Sequence, residues 1–250
     1  MKKITTDHAI TRWDLFAESY ANNHGDEGDL HKKVLLNPVI FQMIGSLQNK
    51  RLLDAGCGEG YLSRLLSEEG AIVTSVDFSE RMIEIAKERT PEHMNIHYYH
   101  GNCEELNFLP DVSFDVIVSN MVMQDLANFN KACAEMYRLL VTGGMFVFSI
   151  LHPCFITPNS DWERTPEGKK LYRKVGNYFA EGVYEQPYGE PENVYFFHRT
   201  LTTYINTLVD IGFRIDRIVE PTISKEMLAK HPEFADALIS PNFIVFKLIK

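Results

Sequence analysis

The run Arg51-Leu52-Leu53-Asp54-Ala55-Gly56-Cys57-Gly58-Glu59-Gly60-Tyr61 breaks a short apolar strand into a glycine turn that can open a helix. A strand ended in this way points to a sheet whose edge presents bare backbone to a nucleotide-like ligand. Glycines at alternate positions, Gly56, Gly58 and Gly60, let the chain turn tightly and let the ligand approach without meeting a side chain. The free amides of the following helix are placed to help hold a carboxylate. A dinucleotide fingerprint has the order G-x-G-x-x-G, whereas this chain has G-x-G-x-G. Asp54 stands at the mouth of the turn, where a diphosphate gains nothing from added negative charge. That carboxylate favours a ligand carrying positive charge.

From Leu52 onward the pattern alternates strand and helix, which predicts a mostly parallel sheet covered on both faces. Strands are expected at 51–55, 72–77, 96–99, 114–119 and 145–151, with helices at 61–69, 80–89 and 129–140 between them. Gly70 and the pair Gly143-Gly144 read as helix exits. Ahead of this core lie the aromatic amphipathic segment 13–20, a polar stretch from Asn22 to Asp29 expected to be a mobile surface loop, and a helical pattern from Val34 to Leu47 with Pro38 near a start or break. Residues 152–191 interrupt the rhythm with prolines, glycines and the aromatics Phe155, Trp162, Tyr172, Tyr178, Phe179, Tyr184 and Tyr188, so an ordered insertion or lid is expected. Strands at 194–198, 213–219 and 242–249 and a helix at 201–211 complete the chain. The expected divisions are an N-terminal helical lid region at 1–48, a core ligand-binding half at 49–151, an inserted aromatic cap at 152–193, and the remainder of the same sheet domain at 194–250.

A formal charge of -9 gives no general electrostatic reason to approach nucleic acid or an anionic membrane. No apolar run approaches about 20 residues, and no apolar signal core follows Lys2 and Lys3. The four cysteines, Cys57, Cys103, Cys133 and Cys154, are widely spaced and read as free thiols of a reducing compartment, so the cytoplasm is the expected location. No compact metal-ligand pattern is present. His93, His97 and His100 gather around the third strand, with surface placement as the simpler account.

Two further features fall in register with the glycine turn. Asp77 ends the next strand about 20 residues on, where it can accept both hydroxyls of a ribose. After the third strand, Asn102 and the Cys103 amide are candidates for a purine edge; alternatively, Asn102 only caps a short helix beginning near Glu104.

The segments Leu52 to Gly60, Val76-Asp77-Phe78-Ser79 and Asn102 to Leu106 resemble the first three motifs of class I S-adenosylmethionine-dependent methyltransferases. Phe114 to Asn120 and Glu135 to Gly144 are similar to the fourth motif and to the helix-turn before the fifth. The resemblance covers about 51–151 in order. It implies an α/β, doubly wound, Rossmann-like seven-stranded sheet with the last strand antiparallel and an inserted cap, with S-adenosylmethionine across the carboxyl ends of the early strands. The methionine portion would lie on Gly56, Cys57, Gly58 and Gly60, with Asp54 orienting its ammonium and Asp77 holding the ribose. The resemblance also implies Phe78 and Met82 against adenine, Asn102 and Cys103 at the base, Ser119 and Asn120 beside the amino-acid end, and Tyr20 as a gate over the cofactor. An aspartate is often found where this chain has Asn102.

A methyl acceptor that is a small or medium organic molecule suits an apolar pocket better than a polynucleotide does. Oxygen or nitrogen is the expected target. Met121 and Gln124 fall where the family often lines the pocket floor, and Phe155, Tyr178 and Tyr184 of the insertion are candidate walls. Met123 reads as core. In-line transfer requires positioning and not necessarily a base. His152, directly after the fifth strand, and His198, directly after the insertion, are the candidate bases; the alternatives are that His152 only caps strand-end carbonyls and that His198 is a packed histidine bonded to backbone. Two other functions compete: an NAD-dependent oxidoreductase on a related sheet, and a cofactor-binding module without turnover.

Overall fold

The computed structural model describes residues 4–186 and 193–250; Tyr188 of the insertion lies outside them. Helix α1 (Thr6–Asn22) leads into a turn, a single π-helical turn at Lys32–Leu36 and helix α2 (Asn37–Ile44), which begins with Pro38 in its first turn. The strand–helix alternation then runs β1 (Arg51–Ala55), α3 (Tyr61–Glu68), β2 (Ile72–Asp77), α4 (Glu80–Arg89), β3 (Ile96–His100), β4 (Phe114–Asn120), α5 (Phe129–Leu139) and β5 (Leu140–Leu151). Four short strands follow, β6 (Asp161–Arg164), β7 (Lys170–Lys174), β8 (Gly182–Gln186) and β9 (Val194–His198). Helix α6 (Leu201–Ile211), β10 (Arg214–Val219), α7 (Lys225–Lys230) and β11 (Phe243–Ile249) close the chain.

Seven strands form one sheet in the order β10-β11-β5-β4-β1-β2-β3. β1 pairs parallel with β2 and β4, and β11 runs antiparallel to both β5 and β10. The order reverses at β1, so the carboxyl ends of β1 and β4 border the crevice where doubly wound sheets bind ligands.

Residue parity explains why the sheet is covered on both faces. Leu53, Ile117, Phe146, Phe148, Ile244 and Phe246 point into one core with α5 and α6. Leu52, Val116, Val118, Val147 and Val245, their immediate neighbours, point into the other with α2 and α3. Successive strand side chains alternate between faces, so continuous apolar runs fill two cores at once.

Several expectations are corrected. Gly143-Gly144 do not end a helix: α5 stops at Leu139, and both glycines lie inside β5, where the pairing with β4 jumps from Phe114–Leu140 to Val116–Met145. The Gly143 amide bonds to the Lys250 carbonyl, which ties the irregularity to the chain's last residue. The polar stretch after α1 lies at the surface as turns and carries local contacts: Gly25 and Gly28 pair, and Asp29 accepts the Lys32 amide at 2.9 Å. No helix begins near Glu104; turns occupy that stretch. Within the insertion, β6 pairs with β7 and β8 with β9, so Val194–His198 closes a hairpin and stays out of the main sheet. Among the described residues no helix is long and apolar enough to cross a membrane.

Phe148 stacks on Phe146 and Phe246 at 5.1 and 4.8 Å between ring centres. Phe148→Ala is expected to lower the free energy of unfolding by about 3–5 kcal/mol, read as a shift of the urea midpoint at unchanged slope.

Candidate active site

The site grows from the end of β1. Gly56 takes φ +84°, and a Cβ there would overlap the Val122 side chain, so no other residue fits. The Gly56 and Cys57 amides both donate to the Val76 carbonyl, at 2.7 and 3.0 Å, which binds the turn to β2. Asp77 then grips it from the side: its Oδ2 accepts the Gly58 amide and its Oδ1 the Ser79 amide, each at 2.8 Å. Ser79 caps α4 by accepting the Met82 amide at 3.1 Å and donates to Asp14 of α1, so the N-terminal helix is anchored over the turn. Arg89 adds a bond to the Ala21 carbonyl at 2.7 Å.

Asp54 is 1% exposed and among the described residues has one side-chain donor, the Ser63 hydroxyl at 2.6 Å, itself bonded by Ser75. Burial pushes its pKa up to about 7, against the Ser63 bond and with help from the charges of Asp77 and Glu59. Burial also raises Asp77, although its two backbone bonds oppose the shift. Glu59 is buried with Oε2 bonded to Arg64 at 2.8 Å, while its Oε1 has no hydrogen-bond partner among the described residues. Glu59 is matched by Arg64 and, at 3.4 Å, by Arg89; among the described residues Asp54 and Asp77 have no ion-paired cation, and a cationic ligand relieves the cost of burying them.

Two cavities meet here. The first is lined by Tyr20, Asp54, Gly56, Cys57, Gly58, Asp77, Met82, Asn120 and Met121, all anticipated from the sequence. Phe78, Asn102, Cys103 and Ser119 are not part of its lining. Phe78 stacks with His100 at 5.9 Å, Asn102 Oδ1 closes a turn on the Glu104 amide at 2.9 Å, Cys103 is buried in the core, and the Ser119 hydroxyl donates to the Ala55 carbonyl at 2.7 Å. The second cavity, of about 310 Å³, includes Met121 and Gln124.

The remaining expected residues lie elsewhere. Phe155 packs on His152 at 4.8 Å, the Tyr178 hydroxyl accepts the Leu201 amide at 2.9 Å, and the Tyr184 hydroxyl donates to the Ala180 carbonyl. None of these three lines either cavity. The same holds for both histidines considered as bases. His152 has one ring nitrogen 2.7 Å from Glu220 and accepts the Cys154 amide on the other, and the His198 Nε2 lies 2.7 Å from the Tyr178 carbonyl. Their carbonyl and carboxylate partners hold these rings in the insertion and its junction with the sheet.

Residues without an assigned role in the sequence complete the site. Trp13, Lys32 and Asp125 line both cavities, and Phe196 and Phe243 wall the second. Lys32 is buried, with Nζ 2.5 Å from the Tyr20 hydroxyl, 2.7 Å from His24 Nε2 and 3.3 Å from Asp29 Oδ2. Asp29 stays well below the usual carboxylate range: burial opposes this, and His24 and Lys32 overcome it.

A model of a methyltransferase domain matches residues 53–148, the stretch that carries the glycine turn and both acidic strand ends. A solved Listeria monocytogenes structure assigned as an S-adenosylmethionine-dependent methyltransferase is 32% identical, with a TM-score of 0.73 over 85% of this chain and 96% of that one. This chain belongs to the class I S-adenosylmethionine-dependent methyltransferases. A second such methyltransferase structure, from Mesorhizobium loti, is 28% identical with a TM-score of 0.79 over 90% of this chain and all of the other. Among curated proteins, an uncharacterized Haemophilus influenzae protein is 29% identical over 95% of both chains. A Serratia marcescens malonyl-[acyl-carrier protein] O-methyltransferase is 39% identical over 45% of this chain, and a Coxiella burnetii ubiquinone biosynthesis O-methyltransferase is 31% identical over 58%. The chain spans 42% and 62% of those two relatives' lengths.

The methyltransferase is therefore an enzyme that uses S-adenosylmethionine, and the dinucleotide alternative falls. The residues present fit that cofactor, because a buried acid with a raised pKa and an adjacent unsatisfied Glu59 oxygen suit a ligand bearing an ammonium and a sulfonium.

The Asp54 shift has a testable sign. The native state holds this proton up to about pH 7, whereas an unfolded aspartate loses it near pH 3.9. The group thus favours the folded state below the unfolded pKa and loses that contribution as pH rises toward 7. Asp54→Asn is expected to flatten the decline in urea stability between pH 4.5 and 7.5 and to be relatively more stable than the parent at the upper end.

Proposed function

We propose that this methyltransferase moves a methyl group to an oxygen or nitrogen of a small or medium organic molecule in the cytoplasm. The observation that carries the reading is the meeting of two cavities at one wall: the first framed by Asp54, Gly58 and Asp77, the second enclosed by aromatic side chains and about 310 Å³ in volume. A volume of that order suits a small ligand and not an open polynucleotide track. The names of the Serratia and Coxiella relatives favour oxygen as the target. Four free thiols accord with a reducing compartment.

When bound, the cofactor supplies an electrophilic methyl group on a positively charged sulfur. The protein's part is to bind, orient and exclude water. Asp54 would receive the ammonium, directly or through water, while the Gly56, Cys57 and Gly58 amides stay bonded to Val76 and Asp77 and hold the turn in shape beside it. Each Asp77 oxygen spends one lone pair on a backbone amide and retains another for a ribose hydroxyl. Met82 would pack against the adenine and Asn120 would lie beside the amino-acid end, since both line the first cavity. Tyr20 and Trp13 of α1, which line the first cavity, would close the site over the cofactor. In-line geometry supplies much of the rate once both partners are held this way.

Asp77→Ala removes two hydrogen bonds to a charged acceptor, each worth about 1.5–3 kcal/mol. Calorimetric titration is expected to show S-adenosylmethionine affinity reduced by about 100-fold or more in a variant whose circular dichroism matches the parent. Parental affinity in that folded variant contradicts the ribose assignment.

A further inference from the structure

Resting on the methyltransferase reading, we infer that the second cavity takes a flat acceptor carrying a neutral O–H or N–H group, that Asp125 removes its proton, and that carboxylate acceptors are excluded. Asp125 lines both cavities, as do Trp13, Tyr20, Lys32 and Met121, so it stands at the boundary that the transferred methyl must cross. Its placement is built and rigid. The Asp125 amide turns back to the Val122 carbonyl at 2.8 Å, and the neighbouring Gln124 carbonyl accepts the Phe197 amide of β9 at 2.7 Å. Arg199, 9% exposed, donates to the Leu126 and Ala127 carbonyls at 2.5 and 3.1 Å. The inserted hairpin therefore clamps the loop that carries the carboxylate.

The charges around Asp125 leave it available. Lys32, the cation shared by the two cavities, has its ammonium surrounded by Tyr20, His24 and Asp29. The guanidinium of Arg199 is committed to backbone carbonyls. Among the described residues no ion pair neutralises Asp125, and its one side-chain donor is Gln124 Nε2 at 3.4 Å. Burial holds its pKa well above the ordinary carboxylate value, with Gln124 and the Arg199 charge opposing and Asp77 reinforcing the shift; the proton transfer needs the ionised form, which a cationic ligand in the first cavity would favour. Trp13, Tyr20, Phe196 and Phe243 supply ring walls for a flat molecule. A second carboxylate in this enclosure would face the ionised Asp125, while Asp29 and Lys32 of the same lining are paired with each other, so the like-charge discrimination comes from Asp125.

The step balances without another reactant. The acceptor's lone pair forms the bond to the methyl carbon, the carbon–sulfur bond breaks with its electron pair passing to sulfur, and the acceptor's proton goes to the Asp125 carboxylate. General-base assistance of this kind contributes about 10²–10⁴-fold in rate.

The test compares the full chain with Asp125→Asn and Asp125→Glu. Titration with S-adenosylmethionine and S-adenosylhomocysteine comes first: both variants should bind the uncharged thioether S-adenosylhomocysteine within threefold of the parent, Asp125→Asn should lose more affinity for S-adenosylmethionine than for S-adenosylhomocysteine, and failure of the parent to bind either would defeat the methyltransferase reading itself. Methyl-labelled cofactor is then supplied with catechol, phenol and aniline as donor probes and with benzoate and octanoate as carboxylate probes. Label should enter a donor probe and neither carboxylate. Asp125→Asn should lose about 100-fold in turnover and about tenfold in calorimetric affinity of the S-adenosylhomocysteine-loaded protein for that donor probe, and Asp125→Glu should recover part of the rate. Labelling of benzoate or octanoate, labelling of no donor probe by cofactor-bound protein, or an Asp125→Asn rate within threefold of the parent overturns the inference.

Discussion

The Asp77 carboxylate is the interaction on which the site depends. It accepts one amide from the glycine turn after β1 and one from the start of α4, so two strand ends and a helix share one anchor. Gly58 is held at φ +55° by that bond, and the Ser79 cap passes the constraint on to Asp14 of α1. A group placed there for a ligand is thus also a structural fastener. Hydrogen bonds to a carboxylate are stronger than neutral ones, and burial makes them harder to exchange with water.

The second organising principle is an excess of buried negative charge. Asp54, Asp77 and Asp125 line the first cavity beside Glu59, which Arg64 and Arg89 neutralise, and Lys32 is held by the Tyr20–His24–Asp29 group behind it. Burial raises Asp54, Asp77 and Asp125 together. Such an arrangement costs stability in isolation and gains it back when a cation enters. Selection of a sulfonium with a free ammonium over a dinucleotide follows from the same electrostatics.

Where local sequence and tertiary environment agree, the fold was legible in advance. β1, β2, α4 and α6 lie at 51–55, 72–77, 80–89 and 201–211 as expected, because apolar runs, caps and terminal glycines all act within a few residues. Gly143-Gly144 misled because a glycine pair after a helix looks like an exit, whereas pairing to Lys250, far away in sequence, draws it into β5. Asp29 looked like part of a polar loop because its partners His24 and Lys32 become neighbours only after the chain turns. Asp54 and Asp77 were readable from motif position. Asp125 was not, since its place between two cavities is set by Phe197 and Arg199 from beyond the insertion. His152 and His198 attracted interest for their chemistry, but their positions are decided by Glu220 and the Tyr178 carbonyl, contacts with no local signature.

The most direct measurement is calorimetric titration of the intact chain with S-adenosylmethionine and, separately, with NAD. Buried carboxylates at a G-x-G-x-G turn predict saturable one-to-one binding of S-adenosylmethionine and no detectable heat from the dinucleotide. Saturable binding of NAD without binding of S-adenosylmethionine would contradict the account at its centre.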